Sequence, residues 1–222
     1  MLGAIPTARY HNVYTNEQKV MVTITSEVQS KIRYLCNVAK DNEWIGYIFY
    51  KVEDDVCVVT HILPLSIDGK AYTEAEDFEL ILDEFIDQYD LEDHQKGLIH
   101  SHNNMQTFFS STDIDELHEN AKNHNRYLSI IVNNYNEITG KVATHIDLID
   151  EGLTYKMYDF NSEEKVINVK MEKTALVLQD VEFINTDFET EDDSFIDYVN
   201  ELLQIRSEKM KAFQQKTAHS EN

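Results

Sequence analysis

GLIHSHNNMQTFFSSTDIDELHENA, residues 97–121, reads as a strand, a loop and a helix in succession. Gly97 to His102 is a short apolar run carrying two histidines, and from Asp113 onward Ile114, Leu117 and Ala121 recur at helical spacing. Side chains two apart on a strand point to the same face, so His100 and His102 can meet one ion. Asp113 stands where the helix begins, and the intervening loop is long enough to return its carboxylate to the strand end. Two histidines and one carboxylate with a fourth position open describe a catalytic zinc site, whereas structural zinc is closed by four protein ligands, usually with Cys. Imidazole ligands also favour zinc over magnesium, which takes all-oxygen shells. Two plainer readings use the same residues. Histidine pairs at this spacing occur on strands by chance, and Ser110-x-x-Asp113 is also a capping box that starts a helix.

Working outward, VMVTIT at 20–25 has the β-branched content of a strand. Val28, Ile32, Leu35, Cys36 and Ala39 then mark one face of a helix over 27–39, with Ser26 as its expected N-cap. Strands are expected at 44–52 and 56–63, joined by Glu53-Asp54-Asp55, with Pro64 and Asp68-Gly69 marking a loop. Phe78, Leu82, Phe85 and Tyr89 return to helical period over 74–89. Strands are expected at 127–132, stopped by Asn133-Asn134, and at 142–149. Past residue 150 come strand-like runs at 153–159, 165–171 and 175–184, the acidic stretch DFETEDD at 187–193, and a helix from Ser194 to Phe213 before a frayed KTAHSEN end. Strands mixed with helices in no strict βαβ alternation predict an α/β (α+β) domain with a mixed central sheet.

His-x-His, seven residues, Ser, two residues and Asp is the spacing of the JAMM (also called JAB or MPN-plus) metalloprotease motif. Here it is His100-Ser-His102, Asn103 to Phe109, Ser110, Ser111-Thr112 and Asp113. Glu43-Trp-Ile-Gly46, with Tyr47-Ile-Phe following, is similar to the family's upstream Glu-x-x-Gly. The order of elements over residues 20–148 also resembles that domain. Asn103 stands where eukaryotic deubiquitinating members usually have Pro, and the loop to Phe109 lacks their insertions. The wording looks more like bacterial and tailed-phage members, which points away from ubiquitin itself as substrate.

The resemblance implies a JAMM/MPN-like mixed central β-sheet flanked by helices over residues 1–150, with a C-terminal strand and helix extension over 151–222. It implies one Zn2+ held by His100, His102 and Asp113, Glu43 as general base on the attacking water, and Ser110 as donor to the oxyanion. The expected activity is hydrolysis of an amide or isopeptide bond in a protein or peptide, in a flexible tail or a ubiquitin-like modifier. The segment Ile67–Tyr72 and the loop Asn103–Phe109 flank the expected site, so Tyr72, Met105, Phe108 and Phe109 could line a substrate groove. The competing reading is a non-catalytic MPN-like scaffold; such members have lost ligands, and here all stand.

Composition bounds the partners. With 222 residues, one large domain or a domain with an appendage is expected. The 19 Lys+Arg against 41 Asp+Glu leave a net charge of −22, which repels phosphate backbones and anionic lipid. Nucleic acid and membrane are therefore not expected partners, and a DNA-associated relative of the family is disfavoured. Cys36 and Cys57 read as buried thiols in a reducing compartment, the cytoplasm, or the host cytoplasm for a phage-encoded chain. MLGAIPTARYHN has no basic region followed by an apolar one, so no secretory signal is expected. His61, His94, His118, His124 and His145 lack matching partners and read as surface or core residues. Asp192-Asp193 reads as a solvated acidic loop. The Phe195 to Phe213 stripe either packs on its own domain or joins a second copy as a homo-oligomer.

Overall fold

β-Branched and aromatic runs form strands close to where their spacing places them. In the computed structural model of the chain, residues 12–67, 78–149, 153–158, 164–169, 172–184 and 193–220 are described. In chain order the elements are β1 (Asn12–Ile24), α1 (Ser26–Ala39), β2 (Ile45–Glu53), β3 (Val56–Ser66), α2 (Phe78–Tyr89), β4 (Gln95–Ser101), α3 (Ser111–Ala121), β5 (Arg126–Val132), β6 (Ile138–Ile149), β7 (Leu153–Tyr158), β8 (Glu164–Val169), β9 (Glu172–Phe183) and α4 (Asp193–Ser220).

The expected central sheet flanked by helices, with residues beyond 150 as an extension, is corrected by the topology. Seven strands close into a mixed barrel in the order β1-β3-β2-β4-β5-β6-β9, and β7 and β8 form a separate hairpin. Strand β9, from the supposed extension, runs parallel to β1 (Val22 opposite Phe183) and antiparallel to β6 (Val142 opposite Gln179). Without it β1 and β6 would present unpaired N–H and C=O groups as open edges. Alternation in a sequence reports which face of a strand is buried; it does not report which strand lies alongside.

One apolar cluster draws on all seven barrel strands, including Val22, Ile48, Val59, Ile99, Ile130 and Val142, with Val181 and Phe183 packed against it. Val28, Ile32, Leu35 and Cys36 of α1 belong to the same cluster, as do Phe195 and Val199 of α4. A cluster shared by every strand of a closed sheet lies on its inner side, and α1 packs against that side by one face, leaving Arg33 and Asn37 exposed. Among the described residues, two helices cover the outer face. Helix α3 lays Leu117 and Ala121 on Leu98, Tyr127 and Ala143. Helix α2 brings Leu82 and Phe85 onto Phe49, Leu63 and Leu65. Gly97 permits the approach of β4 to β5, because a Cβ there would lie 2.3 Å from the Leu128 carbonyl oxygen.

Smaller corrections have local causes. Strand β3 runs through Pro64 to Ser66 where a loop was expected. Its pairing with β1 ends at Val59, so Pro64 sits where one side of β3 is open and its missing N–H leaves no ladder bond unmade. The Tyr198 hydroxyl of α4 donates to the Pro64 carbonyl at 2.9 Å on the way past. Thr25, not Ser26, is the N-cap of α1, and it makes no side-chain cap bond. Helix α4 continues beyond Phe213 to Ser220. Cys36 and Cys57 are both free and buried, and burial pushes both thiols up from their ordinary pKa. Among the described residues no helix is long and apolar enough to cross a membrane. Asp68-Gly69, Tyr72, the greater part of DFETEDD and Asp192 lie outside the described residues.

Candidate metal centre

The outer face of β4 carries the site. Along β4, Ile99 faces the barrel interior and Leu98 faces α3, so strand alternation sets His100 on the outer side with Leu98. His102 follows just beyond the strand, its N–H donating to the Val132 carbonyl at 2.9 Å, which continues the β4–β5 ladder by one step. The loop then returns, and α3 begins at Ser111 with Ser110 as N-cap. Asp113, in the first turn, comes back to the histidines.

The convergence is close. His100 Nε2 is 3.2 Å from His102 Nε2 and 3.2 Å from Asp113 Oδ1, while His102 Nε2 is 3.9 Å from Asp113 Oδ2. Ligand atoms of all three lie within 4.8 Å of one another, and among the described residues no other His, Cys, Asp or Glu group of this kind occurs. Their side chains are 13%, 10% and 12% exposed, in the order His100, His102, Asp113. A tetrahedron with spokes of about 2.1 Å has edges of about 3.4 Å, close to the 3.2 Å from His100 Nε2 to His102 Nε2 and to Asp113 Oδ1, so the group could hold a metal ion. The chemistry of the set, two imidazoles and a carboxylate, agrees with that geometry. Burial pushes His100 down to about 4, partly opposed by Asp113, so its ring is neutral and able to ligate at neutral pH.

Each of the three side chains has a different support. The Ser110 N–H donates to Asp113 Oδ2 at 2.7 Å, and Ser110 Oγ accepts from the Asp113 N–H at 3.3 Å. The helix N-terminus adds its positive dipole end to the same carboxylate. His102 Nδ1 faces the Gln106 carbonyl oxygen at 3.1 Å. His100 Nδ1 is buried with no hydrogen-bond partner. Phe108 stands edge-on to the His102 ring, centroids 5.7 Å apart, and is itself exposed, as is Met105. Phe109 receives the Lys141 ammonium 5.6 Å from its ring centroid.

Glu43 lies at the entry to β2 and is not a member of the ligand group. Trp44 next to it is bonded to Ser101 in both directions: its N–H donates to Ser101 Oγ at 3.0 Å, and its carbonyl accepts the Ser101 N–H at 2.9 Å. Ile45 pairs with His100, so the next positions outward put Glu43 beside His102. Glu43 shares parity with Ile45 and Tyr47, which pack on the α3 side, and so sits on the face that carries the histidines. Gly46 completes Glu-x-x-Gly for a steric reason, since a Cβ there would come within 2.8 Å of the Leu63 carbonyl oxygen.

Four other histidines with described side chains stand apart. His61 packs at a tilt against Tyr89 and lies 5.9 Å from His94 between ring centroids, and His124 packs at a tilt against Tyr127. His118 Nε2 is buried without a partner. Two neighbours of the site were not singled out from the sequence. Glu116, one helical turn past Asp113, is raised by burial and by Asp113, and it raises Tyr47 in turn, second to burial. Its i+3 spacing was a readable signal. Asn133 was read only as a strand stop. No protein-family model matches the chain, and no curated protein matches it.

Proposed function

We propose that the chain is a zinc-dependent hydrolase that cleaves amide or isopeptide bonds in protein or peptide substrates. The observation that carries this reading is the convergence of His100, His102 and Asp113, whose ligand atoms lie within 4.8 Å of one another. The motif resemblance to JAMM metalloproteases, which rests on residue spacing alone, supports the reaction class. Zinc held by His100, His102 and Asp113 would supply Lewis acidity and lower the pKa of a bound water toward about 7. The Glu43 carboxylate takes a proton from the attacking water and passes it to the leaving nitrogen. Ser110 Oγ spends a lone pair on the Asp113 N–H and keeps its own O–H for the oxyanion. Exposed Phe108 and Met105 give an extended tail an apolar surface beside the ligands, and the charge of −22 favours neutral or basic tails.

The test joins metal content to cleavage. Purified protein should hold about one zinc per chain, lost in His100→Ala, His102→Ala or Asp113→Ala. Cut sites mapped across a proteome should fall in flexible tails. Glu43→Gln should retain the zinc and lose about 10²–10⁴ in rate. Failure to take up zinc, or cutting unchanged by Glu43→Gln, overturns the reading.

A further inference from the structure

We infer that Asn133 is a positioning residue for the metal centre: it locks the loop whose backbone fixes the tautomer of His102. The inference rests on the reading of His100, His102 and Asp113 as metal ligands.

The loop after His102 contributes a carbonyl, not a side chain, to the site. A carbonyl oxygen only accepts, so the Gln106 oxygen at 3.1 Å requires His102 Nδ1 to carry a proton. In the neutral ring that leaves the lone pair on Nε2, the atom that faces His100 and Asp113. Outer partners of this kind, which fix a ligand's tautomer and orientation, recur at metal sites. The same Gln106 oxygen accepts the Phe108 N–H at 3.2 Å, so its place depends on the path of the loop.

Asn133 sets that path. It is 2% exposed, and both ends of its amide are engaged. Nδ2 donates to the Met105 carbonyl at 2.9 Å and to Glu137 Oε2 at 2.6 Å. Oδ1 accepts the N–H groups of Tyr135 and Glu137, each at 3.0 Å. The bond to Met105 fixes the peptide plane immediately before Gln106. Asn134 adds a second tie, its N–H donating to the Asn103 carbonyl at 2.7 Å. The β5–β6 turn thus grips the ligand loop by its backbone, across 28 positions of sequence.

Asn133→Asp keeps the shape and the acceptor but loses the donor, and it sets a carboxylate against Glu137. Asn133→Asp with Glu137→Gln restores a donor and an acceptor within the turn, while an oxygen still faces the Met105 carbonyl. Gln106→Ala removes a side chain and keeps the carbonyl. Two readouts apply. Nitrogen-15 histidine spectra of the metal-free protein report the His102 tautomer, and competition with a chromophoric chelator reports zinc affinity.

The wild-type chain should show His102 wholly as the Nδ1–H form. The double variant should recover the melting temperature lost in Asn133→Asp, yet populate both tautomers and bind zinc about 10–100-fold more weakly. Gln106→Ala should leave both readouts unchanged. A folded double variant that keeps the single tautomer, or a wild-type chain in the Nε2–H form, overturns the inference. If the wild-type chain takes no zinc, the metal reading falls, and the tautomer spectra still decide whether Asn133 holds the loop.

Discussion

Ser110 and Asp113 hold each other. The Ser110 N–H donates to Asp113 Oδ2 at 2.7 Å, and Ser110 Oγ accepts the Asp113 N–H at 3.3 Å. One reciprocal pair starts α3 and aims the Asp113 carboxylate at the two histidines. The capping box and the metal motif, which compete as readings of the sequence, are the same residues in the fold.

This double duty separates two effects of Ser110→Ala. The cap bond is lost, which should cost about 0.5–2 kcal/mol in denaturant unfolding. The bond to Asp113 Oδ2 comes from the backbone and survives, so zinc content should be unchanged. Turnover should fall by about 10²–10³ if the hydroxyl donates to the oxyanion. Loss of zinc in Ser110→Ala would show that the hydroxyl, not the backbone, holds Asp113.

Asn103 has φ of +49°, a left-handed conformation that turns the chain directly after His102. Asn tolerates that region better than most residues, and Pro, fixed near −65°, does not enter it. Asn103→Gly should therefore keep zinc binding with little change in stability. Asn103→Ala should cost about 1–2 kcal/mol. Asn103→Pro should misdirect the loop and abolish zinc uptake by the folded protein. Retention of full zinc affinity in Asn103→Pro would contradict this account of the turn.

Acid stability tests the His61–His94 pair. Both pKa values are lowered from 6.5, chiefly by burial, and His94 lowers His61 further. A histidine with a lowered pKa in the fold is favoured in its neutral form, so protonation favours the unfolded chain. That contribution is complete above 6.5 and is lost as pH falls below 6.5 toward the lowered values. His61→Gln with His94→Gln should lose less stability than wild type between about pH 7 and pH 5, measured by urea unfolding. His100 and His124, lowered in the same direction, leave a residual slope. An unchanged slope in the double variant would count against the pair.

Barrel closure predicts the fate of a shortened chain. Residues 1–171 lack β9 and α4, leaving β1 and β6 as open edges and removing Phe195 and Val199 from the inner cluster. Such a chain should lose cooperative urea unfolding and form aggregates on size-exclusion chromatography. A monomeric fragment that unfolds cooperatively would show that the barrel does not need its last strand.

The sequence by itself determined most element positions and singled out His100, His102 and Asp113, the group that could hold a metal ion. Both rest on local spacing: alternation on strands, helical period, the i, i+2 pair His100 and His102, and an acid at a helix start. It also singled out Glu43, through a short motif whose Gly46 has a steric reason of its own. Tertiary structure alone decided that β9 inserts between β1 and β6, because strand partners are chosen by backbone groups that every residue carries. It alone decided that β3 continues through Pro64, since the harmlessness of a missing N–H depends on where β1 ends. The grip of Asn133 on the Met105 carbonyl likewise has no local signature. A side chain in one turn meets the backbone of another only after the barrel brings the ends of β4 and β5 side by side.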